Sequence, residues 1–323
     1  MIRRTLAVLL AALGACIAVP AAAQGYPSKP IRLIVVYPPG GTSDAVARPL
    51  AEKLAAQLGQ QVIVDNKGGA GGAIGMDAMA KSPADGYTLA FSAISPVTLL
   101  PHVGKVPYDP LKDIAPVASV MYSPVYMLAT PAFAGKDFAE AIAQAKAKPG
   151  SLRLATSGIA TVGHVMLEQI KLAAGVDITH VPYKGGGQVI TDAAGGQFEL
   201  FTSNPSPGVN GLIAQGRMRV LAVAAPQRLA AMPNVPTLAE LGYPDANLTS
   251  QFGIFAPGRT PEAVTRRLNA EVNKAVAAHD LADRLVKLDN VPSPGGVEQF
   301  AKTVRSEYEA NARIVAKAHI RAD

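Results

Sequence analysis

Cysteine is all but missing, with one residue, Cys16, in a chain of 323. It falls in an N-terminal segment that reads as a signal peptide, so the folded body is expected to hold none. That excludes disulfides and thiol-ligated zinc or iron–sulfur centres. Aromatic residues make up only 5% of the chain, and lysine and arginine form no run. Nucleic acid is therefore excluded as a partner, since it demands a clustered basic patch. Long apolar stretches are missing as well. Leu6–Val19 covers about 14 residues, short of the roughly 20 that span a bilayer. Neither a P-loop signature nor a GxSxG elbow occurs. His102, His164, His180, His279 and His319 show no metal-binding spacing such as HExxH. No metal or cofactor is expected.

The N-terminus itself is informative. Arg3 and Arg4 precede the apolar Leu6–Val19, and Ala21-Ala22-Ala23 forms a small-residue cleavage site before Gln24. This pattern predicts a signal peptide over 1–23 and an exported, soluble protein. Cys16, in LGAC, resembles a lipoprotein signal, which leaves a lipid anchor as the minor alternative. The formal charge of +6 falls to +4 once Arg3 and Arg4 are removed (6 − 2 = 4). That excess is compatible with an anionic small molecule without arguing for one.

The remaining 300 or so residues are enough for two domains. Strand-like runs (IRLIVVY, QVIVDN, GYTLAFS, LRLATS, FELFTS, RVLAVAA) alternate with helical patterns. They predict largely parallel sheets covered by helices on both faces. A helix is expected over Thr42–Leu58, with a kink at Pro49 and Gly59 ending it. PVASVMYSPVYMLAT (116–130) reads as one long β-rich stretch. Near the C-terminus, Thr260 is placed as an N-cap with Pro261 at the first helical position. Val264, Leu268, Val272 and Val276 then form a core stripe, as do Phe300, Val304 and Tyr308.

YPPGGTSDAVAR (37–48) joins the first strand to the first helix, where ligands sit in such sheets. Gly40 and Gly41 allow a sharp turn and a close approach. The N–H groups of the helix start favour an anion, and Thr42 or Ser43 is placed to cap it. Asp44 argues against an anion directly above it; its expected work is to satisfy a first-turn N–H and pair with Arg48. The spacing leaves two readings open, an anion site or a tight turn. VDNKGGAGGAIG (64–75) resembles a dinucleotide loop, but its last glycine comes one residue late and the acid that should close the next strand is missing.

YPPGGTSDAVAR, VDNKGGAGGAIG, DGYTLAFS, VPYKGGG and PNVPTLAELG, in this order, resemble the periplasmic substrate-binding proteins of tripartite tricarboxylate transporters, the Bug (TctC-like) family. The resemblance runs from about Tyr26 to the C-terminus. It implies an α/β, two-domain Venus-flytrap fold of the periplasmic-binding-protein kind, with the ligand cleft between domains. Residues 24–123 with 252–323 would form one domain and 124–251 the other. The resemblance further implies a monomer that performs no catalysis and delivers a small carboxylate to large and small membrane permease subunits. One carboxylate would be gripped, partly through water, by Tyr37, Pro39, Gly40, Gly41, Thr42, Ser43 and Asp44. Facing them, in ATSGIATVGH (155–164), stand Ser157, Gly158, Thr161 and His164. Ser92, Ser95, Tyr183, Ser203 and Asn204 would line the distal half.

Two departures bear on specificity. Gln251 stands where the family often has tryptophan, and Ser203 where it commonly has an acid. Without that acid, the expectation leans to a di- or tricarboxylate or an aromatic acid lacking an amine. Two other classes stay open at this point: a sensor for a signalling partner, and an exported hydrolase using Ser43, Asp44 or His164.

Overall fold

The computed structural model describes residues 25–318 and 320–321. The expected signal peptide, Cys16 and His319 lie outside them.

Among the described residues, eleven strands and eleven α-helices follow one another. β1 (Ile31–Val35), α1 (Thr42–Leu58), β2 (Val62–Asn66), α2 (Ala73–Ala80) and β3 (Thr88–Ala93) come first. Two short turns follow, α3 (Ser95–Thr98) and α4 (Leu100–Val103), then β4 (Ile114–Ser123) and β5 (Val125–Ala129). The middle of the chain is α5 (Phe138–Ala147), β6 (Arg153–Thr156), α6 (Val162–Ala174), β7 (Thr179–Pro182), α7 (Gly186–Ala194), β8 (Leu200–Ser203), α8 (Pro207–Ala214) and β9 (Arg219–Ala224). It closes with β10 (Ser250–Pro257), α9 (Glu262–Ala277), α10 (His279–Lys287), β11 (Val291–Pro292) and α11 (Val297–Ala318).

These strands form two sheets. One has the order β11-β4-β10-β3-β1-β2 and the other β7-β6-β8-β5-β9. The chain passes from the first to the second at Pro124, between β4 and β5, and β10 returns it to the first. Each sheet is covered on both faces. In β1, Leu33 and Val35 face one core with Leu50 and Leu54 of α1, while Ile34, with Val36 just past the strand end, faces another with Met76 of α2 and Phe300 of α11. Burial on both faces explains why β1 reads as a continuous apolar run rather than an alternation.

The sheets are mixed, against the expectation of largely parallel ones. β1 pairs in parallel with β2 and β3, and β6 with β7 and β8, whereas β10, β11 and β5 pair antiparallel with their neighbours. The reason lies in the crossings. β5 and β10 each enter a sheet from the other one, and so run against the strands they join. The 116–130 stretch is accordingly two strands broken at Pro124. α1 runs unbroken through Pro49 and ends at Gly59, whose φ of 66° and N–H bond to the Ala55 carbonyl make the expected left-handed cap. Thr260 does not cap α9. Its hydroxyl donates to the Pro257 carbonyl at 2.7 Å, and Pro261 takes the cap position, so the helix starts at Glu262.

Candidate functional site

Four chain segments meet between the two sheets, and each leaves a strand or enters one. The first is the opening loop. Gly40 turns it at φ 85°, and Gly41 rather than Thr42 or Ser43 is the cap residue of α1, with no side chain bonded to the helix start. Thr42 is then free to reach across. Its hydroxyl donates to the Pro205 carbonyl at 3.0 Å, beyond the end of β8 in the other sheet. Asp44 turns away. Its carboxylate accepts from the Gly40 N–H at 3.2 Å and from the Arg48 guanidinium at 2.8 Å. The N–H it satisfies thus belongs to the turn before the helix, not to the first turn as expected. Burial raises the Asp44 pKa, but the Arg48 and Gly40 hydrogen bonds outweigh it and hold the carboxyl below its ordinary value.

The second segment follows β6. Ser157 and Gly158 lead to Thr161, the cap residue of α6, whose hydroxyl donates to the Gly158 carbonyl at 2.8 Å. Behind it, the His164 ring lies flat against His180, 4.2 Å between centroids, and its Nδ1 accepts the Ala160 N–H at 3.1 Å. Burial pushes His164 down to about 3, helped by His180 and Lys171, and His180 down to about 4, helped by Lys171. Both rings are therefore neutral near pH 7 and support the loop rather than charge it.

The third segment is Ser203-Asn204 after β8, where the Asn204 amide donates to the Pro124 carbonyl at 2.9 Å, tying this corner to the crossing. The fourth is the glycine run before and into α7. Pro38 sits where a Cβ on Gly185 of this run, or on Gly68 of the GGAGG loop, would lie 2.4 Å from its ring. A Cβ on Gly187 would lie 2.6 Å from the Pro39 carbonyl oxygen, and one on Gly71 equally close to the Ile159 carbonyl. Glycine is what lets these backbones touch across the cleft.

Together these segments enclose a cavity of about 60 Å³. Among the residues expected at the site, Tyr37, Gly41, Thr42, Ser43, Ser95, Ser157, Thr161, Ser203 and Asn204 line it. Burial pushes the Tyr37 phenol up to about 12, with the Ser95 and Ser92 hydroxyls acting the other way, so it stays a neutral hydroxyl. The structure does not bring the rest to the cavity wall. Pro39 and Gly40 form the outer turn, and Asp44 and His164 are engaged as described. Ser92 is buried and donates to the Ala93 carbonyl at 2.6 Å, Gly158 is bonded to Thr161, and the Tyr183 hydroxyl donates to Asp192 at 2.7 Å. Pro38 and Gly163, inside the two expected loops, also line the cavity, and Gly186, Ser250 and Phe252 line it from outside them. Gly186 had a usable signal, since VPYKGGG repeats the strand–glycine–helix pattern of the opening loop.

Among the described residues, no lysine, arginine or histidine lines this cavity. What it offers is hydroxyls and the backbone N–H groups at the starts of α1 and α6, a combination that suits one anion. It does not suit hydrolysis. Asp44 is committed to Arg48, and His164 Nε2 faces Glu168 at 4.0 Å, so neither stands as a base beside Ser43.

The profile of the tripartite tricarboxylate transporter family receptor, TctC, matches residues 46–320. The chain belongs to the TctC family. BugT of Bordetella pertussis is 36% identical over 317 residues, covering 95% of this chain and 96% of that one. Among solved structures, MatC from Rhodopseudomonas palustris with bound malate superposes with a TM-score of 0.85 at 28% identity, covering 90% of this chain and 100% of that one. An R. palustris protein solved with adipate gives 0.86 at 30%, covering 92% and 99%. The two-sheet architecture is thus the two-domain fold of TctC-type periplasmic binding proteins, a non-enzymatic class.

Proposed function

We propose that this TctC protein captures a small carboxylate between its two lobes in the periplasm and hands it to the large and small permease subunits of a tripartite transporter. The lobes would be residues 24–123 with 252–323, and 124–251, turning about the two crossings. One observation carries the reading. Strand-end loops from two different sheets converge on one cavity walled by hydroxyls and helix starts, with no cationic side chain among the described residues. Such a site stabilises a carboxylate by hydrogen bonds and helix dipoles, and contact with both lobes favours the closed form. The malate and adipate found in two relatives support the same ligand class.

Thermal denaturation of refolded, ligand-free protein tests it. At 100 times its dissociation constant, a bound carboxylate adds about 2.7 kcal/mol, a shift of several degrees, while the matching carboxamide adds little. A shift from neutral solutes with none from any carboxylate would remove the anion from the account.

A further inference from the structure

Loop tips ordinarily stand in water, and the tip of the loop after β6 does not. Ala160 there is 0% exposed, although β6 belongs to the second sheet. What covers it comes from the first. Ala160 and Val165, the latter from α6, sit in one apolar cluster with Val36, Ile94, Leu99 and Leu100, and Ile159 packs against the same cluster. A Cβ on Gly71 would lie 2.6 Å from the Ile159 carbonyl oxygen and 3.8 Å from the Leu100 side chain, so the three adjoin. Met166, Leu167 and Ile170, further along α6, join the core of their own sheet instead.

The shape of this tip is set locally. Ala160 holds a φ of 54°, a left-handed conformation that residues with a side chain rarely adopt. Its N–H donates to His164 Nδ1 at 3.1 Å, which fixes the neutral ring in its Nε2–H form. The Gly158 carbonyl accepts the Thr156 hydroxyl at 3.1 Å and the Thr161 hydroxyl at 2.8 Å. All of these partners lie between the end of β6 and the first turn of α6, so the tip keeps its form without the other lobe. Neither Ile159 nor Ala160 lines the anion cavity.

We propose that Ile159 and Ala160 form an apolar latch, a knuckle of one lobe seated in the other, that sets the affinity for every ligand without touching any. The inference rests on the closing clamp and deepens it. When the lobes part, the knuckle and its seat return to water, and the hydrophobic effect opposes that opening. The ligand is held by the closed form, so its apparent dissociation constant rises as that form becomes harder to populate. A weaker latch therefore weakens all ligands by one common factor. Since the latch engages after the carboxylate has entered, the factor falls on dissociation rather than association. His164 acts as a positioning residue, through the Ala160 N–H.

Calorimetric titration and ligand-exchange kinetics on the refolded mature chain test this with malate, succinate and adipate. Ala160→Asn is the sharpest variant, since asparagine adopts a left-handed φ readily but would carry an amide into an apolar seat. It should weaken each acid by about thirtyfold, by the same factor for all, through faster dissociation and at an unchanged ligand-free melting temperature. Ile159→Ser should act in the same direction. Ala160→Gly meets the same backbone demand with no polar group and should stay within about fivefold. Ala160→Asn binding like the wild type, a loss that differs between the acids, or one carried by association would each overturn the latch and leave the clamp intact. Silence from all three acids with the wild type overturns the clamp and the latch together.

Discussion

Gly187→Ala binds its carboxylate roughly ten- to a hundredfold more weakly than the wild type, while its ligand-free melting temperature holds or rises. The two effects separate because the glycine is needed only when the lobes meet. Gly187 lies in the first turn of α7, where alanine is the better helix former by up to about 1 kcal/mol. In this structure, however, the added methyl would sit 2.6 Å from the Pro39 carbonyl oxygen. Pro39 cannot easily yield, because its φ is fixed and Pro38 beside it is wedged between Gly68 and Gly185. Overpacking of this kind costs about 1–3 kcal/mol, which falls on closure and so on affinity. An unchanged dissociation constant would mean that these backbones do not touch in the liganded state.

Asp44→Asn should do the reverse, costing about 1–2 kcal/mol of stability and leaving affinity within about threefold. The Asp44 side chain is 11% exposed and paired with an Arg48 that is half in water, so the pair is worth less than a buried one. Asparagine keeps an acceptor for the Gly40 N–H but loses the charge that orients Arg48, which also donates to Asn66. The effect has a signature in pH. The folded carboxyl titrates below its ordinary value of 3.8, so its contribution is complete above that value and fades as pH falls through the lower folded one. The stability gap between wild type and Asp44→Asn, read from denaturant melts, should therefore be full at pH 6 and close in strong acid. A sharp loss of binding at unchanged melting temperature would make Asp44 a ligand group instead.

These two residues show what the sequence alone made legible. Asp44 and Arg48 are four apart on one helix, and Gly59 ends that helix, so local spacing and backbone chemistry were enough to place them. Gly40 and Gly41 were legible as a turn for the same reason. Gly187 was not, because its constraint comes from Pro39, far away in sequence and in the other lobe. Ser92 and Tyr183 were assigned to the cavity by resemblance, yet one bonds its neighbour's carbonyl and the other Asp192. A hydroxyl's partner is set by packing that no spacing reveals. The antiparallel entry of β5 and β10 was hidden because strand direction depends on the path of the chain between sheets.

Small-angle scattering on refolded protein, with and without a saturating carboxylate that shifts its melting temperature, tests the central claim that two lobes close on the anion. The radius of gyration should fall on addition of ligand to the value calculated for the closed structure, and Gly187→Ala should stay more expanded under the same conditions. An identical radius with and without bound carboxylate, in wild type and variant alike, would contradict closure, and with it the two-lobed clamp.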